Sequence, residues 1–489
     1  MKSLILIIVA TFLFHVPCYS QETKQDYFTE KLSVKALIED IDSLALAHET
    51  YDVGYYHYRT KPEIDSVLKI IKSKIEAPKT RIEFHRLVMP YFIAIGEGHN
   101  YSFYSKNYYS DYISNYNYDF PFKILYLNGK YLLYNKDHKT SIPDGSELKG
   151  INNKSIAYIN TIFQKSLLKD ANIPASVPIN YYINKLQRFW SYYITWVSTT
   201  VDLEAKLTIS YLPKGKKTIE HTKIQMDTIS KENVDSAQQK KLEFKNIETS
   251  SAYMRVGTFY DRFKDLNYEA FLKFYDESFK KLKENKIKNL IIDLRGNSGG
   301  RGDLPYELAK YLTKKRKITV TSKTVIKDSL DNFEINPITK DTVYGKGIPP
   351  EYKKQSDGMF HKGKEYIKND KRALAFKGEV YLLIDEGVFS AGAWFSSFFK
   401  ENKIGVIVGR ESSGHCGGTT AGMGKIITLK NTQLQSNVCF IRDEYPIKNQ
   451  VFGRGVIPNI EVPYTKKEVI DGEDIILEKT LSLIKAKQK

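Results

Sequence analysis

Ser390 lies in Lys377–Lys400, KGEVYLLIDEGVFSAGAWFSSFFK, where an apolar β-rich run, Val380–Ile384, breaks at Asp385-Glu386-Gly387. Ser390-Ala391-Gly392-Ala393 then opens a segment with Trp394, Phe395, Phe398 and Phe399 at helical spacing. A serine at such a strand-to-helix turn sits where unpaired N–H groups and the helix dipole favour negative charge, which suits a nucleophile. Serine is also a favoured N-cap, and most serines in such a pattern only cap. His99 follows two glycines in Ile95-Gly96-Glu97-Gly98-His99-Asn100, a pattern for a tight turn holding an imidazole at its rim. His415, in Gly414-His415-Cys416, is the second imidazole in a glycine-rich context. Neutral imidazole can take a serine's proton near pH 7, and without such a base the hydroxyl is a poor nucleophile. Gly299-Gly300 closes the run LIIDLRGNSGG and, lacking Cβ atoms, lets backbone approach a developing oxyanion. The alternative for that pair is a plain turn from strand to helix.

The elements that must hold these residues differ along the chain. Met1–Ser20 has Lys2, an apolar core from Leu4 to Phe14 broken only by Thr11, and Cys18-Tyr19-Ser20 before Gln21. This is the composition of a cleaved secretory signal, too short to span a bilayer, and Pro17 fits a lipobox poorly. An exported, soluble protein is expected (periplasm, outer envelope or secreted), with no later transmembrane helix. Residues 21–117 read as helical: Ser33–Leu46, Lys61–Ile75 and Arg81–Ile95 carry apolar residues three and four apart. From 118 to 230 short strands take over, with a hairpin at Phe122–Leu127 and Lys130–Tyr134 turning on Asn128-Gly129. A helix over Tyr181–Val197 and a strand over Leu203–Leu212 follow, and 231–250 is a polar, lysine-rich linker. Residues 251–465 alternate strands (Tyr253–Phe259, Asn289–Leu294, Ile318–Ile326, Val380–Ile384, Ile404–Val408) with helices, the order of an α/β layer. An amphipathic helix occupies 466–489.

A formal charge of +17 favours anionic surroundings such as an envelope surface. The lysines are dispersed and no nucleic-acid signature appears, so a nucleic-acid partner is not expected. No cofactor or metal is called for, since Cys416 and Cys439 alone make a poor zinc site. They flank what read as two strands of one hairpin around Ile426–Leu434, and in an oxidising compartment a Cys416–Cys439 disulfide is expected.

Three separated stretches together resemble the carboxy-terminal-processing (tail-specific) and tricorn-core serine peptidases. Leu290–Gly300 resembles the family's "L-I-I-D-L-R-x-N-x-G-G" motif, and Val388–Gly392 its nucleophile turn. Gly455-Val456-Ile457-Pro458-Asn459-Ile460-Glu461-Val462 resembles its closing "G-V-x-P-D-I-x-V" segment, with Asn459 for Asp. Asp144–Ile156 resembles the latter part of a PDZ module, with peptide binding and a structural role equally open. The resemblance implies an α/β multidomain fold: a helical N-terminal segment, a PDZ-like insert and a crotonase- or ClpP-like spiral catalytic domain. It implies hydrolysis of a peptide or protein substrate by Ser390, with Gly299, Gly300 and the N–H of Ala391 as oxyanion hole. One branch of the family activates its serine with a lysine some 25 residues on. Gly414-His415-Cys416 stands there, whereas Glu97-Gly98-His99-Asn100 resembles the histidine loop of the tricorn-like branch. His99 is therefore the expected base, with His415 as the secondary candidate and Ser412–Thr420 as a flexible cleft wall. The glutamate that orients the histidine in that branch is replaced by Phe452, leaving Asp443 or Glu444 as loose candidates. A non-catalytic peptide- or lipid-binding protein and an esterase or amidase of small envelope molecules are the alternative functions.

Overall fold

A computed structural model describes residues 29–104, 118–197, 205–228, 241–248, 250–262, 266–327, 350–421 and 424–488. The expected signal segment and most of the expected linker lie outside them. Three helices, Val34–Tyr51, Lys61–Ser73 and Arg81–Ile95, open the described chain. The second and third start with capping boxes, Thr60 with Glu63 and Thr80 with Glu83, which satisfy the first free N–H groups from both directions. Leu37, Ile41, Leu44, Ile64, Phe84, Val88 and Phe92 bury their shared face. The third helix ends at Gly96, whose φ of +74° is the left-handed cap that turns the chain into the His99 loop.

The catalytic layer is a six-stranded sheet in the order 242–248, 251–256, 289–293, 379–384, 406–409, 460–461. Its first pair is antiparallel and the rest are parallel. Strands buried on both faces read as continuous apolar runs, as Leu290–Ile292 and Val380–Ile384 do. Helices Tyr268–Glu284, Asp303–Lys310 and Ala391–Glu401 contribute to the core on one face of this sheet. Ile476 and Ile484 of helix Ile475–Gln488 bury against the other. Asp293 is buried, and burial alone would push its carboxyl up. Arg295 and Arg255 with the Tyr253 hydroxyl hold it at about 2 instead. Arg295 also reaches Asp474 at 2.5 Å, so the "D-L-R" of the glycine motif ties the sheet to its last helix.

The expected α/β multidomain architecture is observed, with two local differences. Leu242–Glu248 is an edge strand of the catalytic sheet, so the chain expected as a linker enters the domain about eight residues early. Lysines at 241 and 245 are tolerated there because an edge strand has a solvated side. Tyr181–Val197 is not one helix: it breaks at Leu186–Arg188, where Gln187 has a φ of +50°. The cause is tertiary. Gln187 and Asn184 turn their side-chain amides onto the outer edge of strand Phe122–Leu127, bonding N–H and C=O of Ile124 and Tyr126. That strand ends the insert sheet of 220–225, 206–212, 146–151, 130–135 and 122–127, so the amides stand where a further strand would pair. The Asn128-Gly129 hairpin forms as expected, with both residues at positive φ.

The expected disulfide is absent. Cys416 and Cys439 are free and buried. The hairpin is Gly424–Thr428 with Gln435–Cys439, and Cys439 faces Gly424 across it. Cys416 precedes another strand, Gly418–Thr420, in a different sheet and lies against the Val451 carbonyl.

Candidate active site

Ser390 lies at the start of helix Ala391–Glu401 with φ +51° and ψ −122°, a backbone state that costs a non-glycine residue on the order of 1–3 kcal/mol. The turn is enforced around it. Asp385 accepts from Gly387 N at 3.0 Å and Gly296 N at 2.7 Å, joining the nucleophile turn to the glycine motif. Phe389 N donates to the Asn297 carbonyl and Gly414 N to the Val388 carbonyl. The Ser390 hydroxyl makes no cap bond to its helix. It lies 3.0 Å from His99 Nε2 instead.

His99 is held from all sides. Gly98 N donates to Asp170 Oδ1 at 2.7 Å, and Asn437 Nδ2 donates to the His99 carbonyl at 2.8 Å. Asn100 bonds Asp52, and Glu97 pairs with buried Arg442. The ring of His99 packs on Phe389 with centroids 4.7 Å apart. A Cβ on Gly98 would stand 2.8 Å from that same phenyl ring, so the close packing needs glycine here. Burial lowers the imidazole to about 4, which keeps it neutral at physiological pH.

The glycine motif closes against Ser390. A Cβ on Gly299 would meet Ser390 Cβ at 2.7 Å and Ala391 N at 3.0 Å, and one on Gly300 would meet Phe259 C at 2.2 Å. Gly299 N donates to Asn297 Oδ1 at 2.9 Å and is not free to bind an oxyanion. Its part is the close approach. The N–H groups of Gly300 and Ala391 have no acceptor among the described residues.

His415 is not part of this arrangement. Its Nδ1 meets Tyr58 Oη at 3.1 Å and its Nε2 accepts from Gly453 N at 2.9 Å, so both ring nitrogens are taken. Burial, with Arg442 nearby, lowers it to about 3. The stretch expected as a flexible cleft wall is largely buried at Ser412, His415, Cys416 and Thr420 and is hydrogen-bonded throughout. Asp443 accepts from Thr324 Oγ1 and Glu444 pairs with Lys323, and neither bonds His99. Phe452 packs on the rings of His415, His57 and Tyr58. The atom at His99 Nδ1 is Thr419 Oγ1, at 3.3 Å.

Two further positions escaped sequence reasoning. Asp170 receives both Gly98 N and, at 3.0 Å, His415 N, while Ala171 N and Asn172 N donate to the carbonyls of Gly96 and Gly453. Residues 170–172 thus bind three site loops together from within the insert. Thr419 sits in a run of small residues with no pattern to set it apart.

The family model described as Peptidase family S41 matches residues 250–462. Among solved structures, mature CPAF complexed with lactacystin aligns at a TM-score of 0.61 with 13% identity, covering 92% of this chain and 98% of that one. A second structure of mature CPAF aligns at 0.59 with 13% identity, covering 89% of this chain and 94% of that one. The photosystem II D1 C-terminal processing protease aligns more loosely, at 0.41 with 11% identity over 90% of this chain and 98% of its own. No curated protein sequence matches. Identities this low show a shared fold; the family match over 250–462 carries the rest, and it spans both the glycine motif and the nucleophile turn. Residues 250–462 match peptidase family S41, the tail-specific, carboxy-terminal-processing serine peptidases, a family of serine-type peptidases that act on peptide or protein substrates.

Proposed function

We propose that the chain is an exported peptidase of the histidine-using, tricorn-like kind, in which Ser390 attacks the scissile carbonyl and His99 is the general base. The observation that carries this is the 3.0 Å contact between His99 Nε2 and Ser390 Oγ, made by residues 291 positions apart. His99 takes the hydroxyl proton as the acyl-enzyme forms and returns it to the leaving amine; water then repeats the sequence to release the acid. The oxyanion is received by the N–H groups of Gly300 and Ala391, with Gly299 needed for its missing Cβ. Such preorganised donors contribute about 3–4 kcal/mol each to the transition state. Domain limits of 21–117, 118–230 and 251–465 serve this reading, the insert acting structurally through 170–172 rather than through its blocked sheet edge. Export rests on the composition of Met1–Ser20. The test is fluorophosphonate labelling with the modified residue mapped, alongside peptide turnover by Ser390→Ala and His99→Ala. Label on Ser390 and loss in both variants is expected; label elsewhere, or turnover retained by Ser390→Ala, refutes the assignment.

A further inference from the structure

A base in a Ser–His pair needs a partner on its other nitrogen. Without one the ring can flip or adopt the tautomer whose proton faces the serine, and then it cannot accept. Serine hydrolases of the triad type assign that task to a carboxylate. The charged groups around His99 are all committed elsewhere. Glu97, on its own loop, turns to Arg442. Asp170, from the insert, receives Gly98 N and His415 N. Asp52 receives Asn100 Nδ2 and Gly54 N. From strand Gln435–Cys439 it is Asn437 that reaches the loop, through the His99 carbonyl. Burial, with no opposing charge, accounts for the low affinity of His99 for a second proton.

What does meet Nδ1 is the hydroxyl of Thr419, at 3.3 Å. Thr419 lies on Gly418–Thr420, the outermost strand of a five-stranded sheet, directly opposite Asp443 on Ile441–Glu444. Thr324 lies directly opposite Asp443 on the other side, so the three side chains share one face of the sheet. Arg442 and Thr420, the next opposite pair, bond each other on the reverse face, which agrees with this alternation. Thr419 is thus aimed at His99 by strand register, and not by a mobile loop.

We infer that Thr419 is the positioning residue of the base: its Oγ1 accepts from His99 Nδ1–H, fixing the tautomer that leaves the Nε2 lone pair on Ser390, so that the third member of the site is neutral. This rests on Ser390 and His99 acting as proposed above. A neutral hydroxyl orients the ring but does not stabilise the imidazolium as a carboxylate does, so the acid limb of activity stays low.

The test uses the full chain with Thr419→Val, Thr419→Ser and Thr419→Asp, measuring kcat, KM, the pH profile of kcat/KM and the nitrogen chemical shifts of labelled histidine. Thr419→Val keeps the β-branched shape and is expected to lose about tenfold to a hundredfold in kcat with little change in KM. It should also lose the signature of a single His99 tautomer. Thr419→Ser should restore kcat to within about threefold of the parent. Thr419→Asp should move the acid limb upward by about one pH unit or more, since an adjacent negative charge favours the imidazolium. If Thr419→Val does not fold, the serine and aspartate variants still decide, because a merely structural role predicts no shift of the limb. Unchanged kcat in Thr419→Val while Ser390→Ala is inactive overturns the Thr419 assignment alone. The same holds if Asp443→Asn shifts the limb and Thr419→Asp does not. Full turnover by Ser390→Ala overturns the Ser390–His99 reading and this inference together.

Discussion

Asp170 belongs to the insert by sequence, yet removing its carboxylate should damage catalysis in the domain it does not belong to. Its two oxygens accept separately, Oδ1 from Gly98 N at 2.7 Å and Oδ2 from His415 N at 3.0 Å, and the side chain is 1% exposed. Hydrogen bonds to a charged acceptor contribute about 1.5–3 kcal/mol each, and an orphaned buried N–H costs about 1–3 kcal/mol. Burial pushes the Asp170 carboxyl up to about 6, so part of that gain offsets desolvation and the lower half of the range applies. Asp170→Ala should therefore lose about 3 kcal/mol. In a domain of this size that lowers Tm by about 6 °C or more. Asp170→Asn keeps one acceptor but turns an NH2 group at the other N–H, so it should release one loop and lose about half as much. The catalytic effect follows from position. Gly98 immediately precedes His99, and a displacement of about 1 Å at a reacting group costs on the order of a hundredfold. A fall in kcat of ten- to a hundredfold is expected for Asp170→Ala, with KM nearly unchanged, since a catalytic loop loosens while the cleft remains. Thermal melts and steady-state kinetics on the same preparation, with fluorophosphonate labelling rates, measure all three. An Asp170→Ala protein that melts within a degree of the parent and keeps its kcat would refute the view that 170–172 holds the site together.

The acid limb of kcat/KM should fall near pH 4, because neutral His99 is the active form and burial lowers it to about 4. At pH 5 about nine-tenths of the base is then still neutral, against about 3 in 100 for an unperturbed imidazole, and a limb near 6.5 contradicts this. Ser390→Gly should raise Tm by a few degrees while abolishing turnover, since glycine relieves the φ of +51° and no cap bond is lost; an unchanged or lower Tm argues against strain at the nucleophile. Gly300→Ala should abolish activity or folding, because its Cβ would fall 2.2 Å from the Phe259 backbone at a φ of +137°, and an active, stable variant counts against the close packing of the glycine motif. Thiol titration in denaturant without reductant should find both Cys416 and Cys439 reactive, and reductant should leave Tm unmoved. His415→Ala should lower stability and leave the acid limb in place, since both its ring nitrogens are bound away from Ser390; movement of the limb makes His415 the base.

The strand-to-helix turn at Ser390, the glycine motif and the tight turn before His99 were legible in the chain because each is a local backbone problem. A turn that must present Ser390 at a helix start, or pass backbone within van der Waals reach of Phe259, permits few residue types, and Gly299 and Gly300 answer that need. The three N-terminal helices were equally legible, since the three- and four-residue apolar spacing is written within each segment. The pairing of the site was not. Ser390 and His99 meet across 291 positions, and neither residue's neighbours encode the other. Asp170 and Thr419 were invisible for the same reason. An aspartate before Ala171-Asn172 or a threonine after Gly417-Gly418 has an ordinary local context and gains its role from strand register and from loops that arrive elsewhere in the chain. The cysteines failed in the opposite sense. Their spacing suggested one hairpin, but Cys416 precedes the strand Gly418–Thr420 of another sheet and only Cys439 lies on the hairpin. The break at Gln187 and the strand at Leu242–Glu248 were also decided by partners: a sheet edge that needed its N–H and C=O groups satisfied, and an edge strand that tolerates lysine.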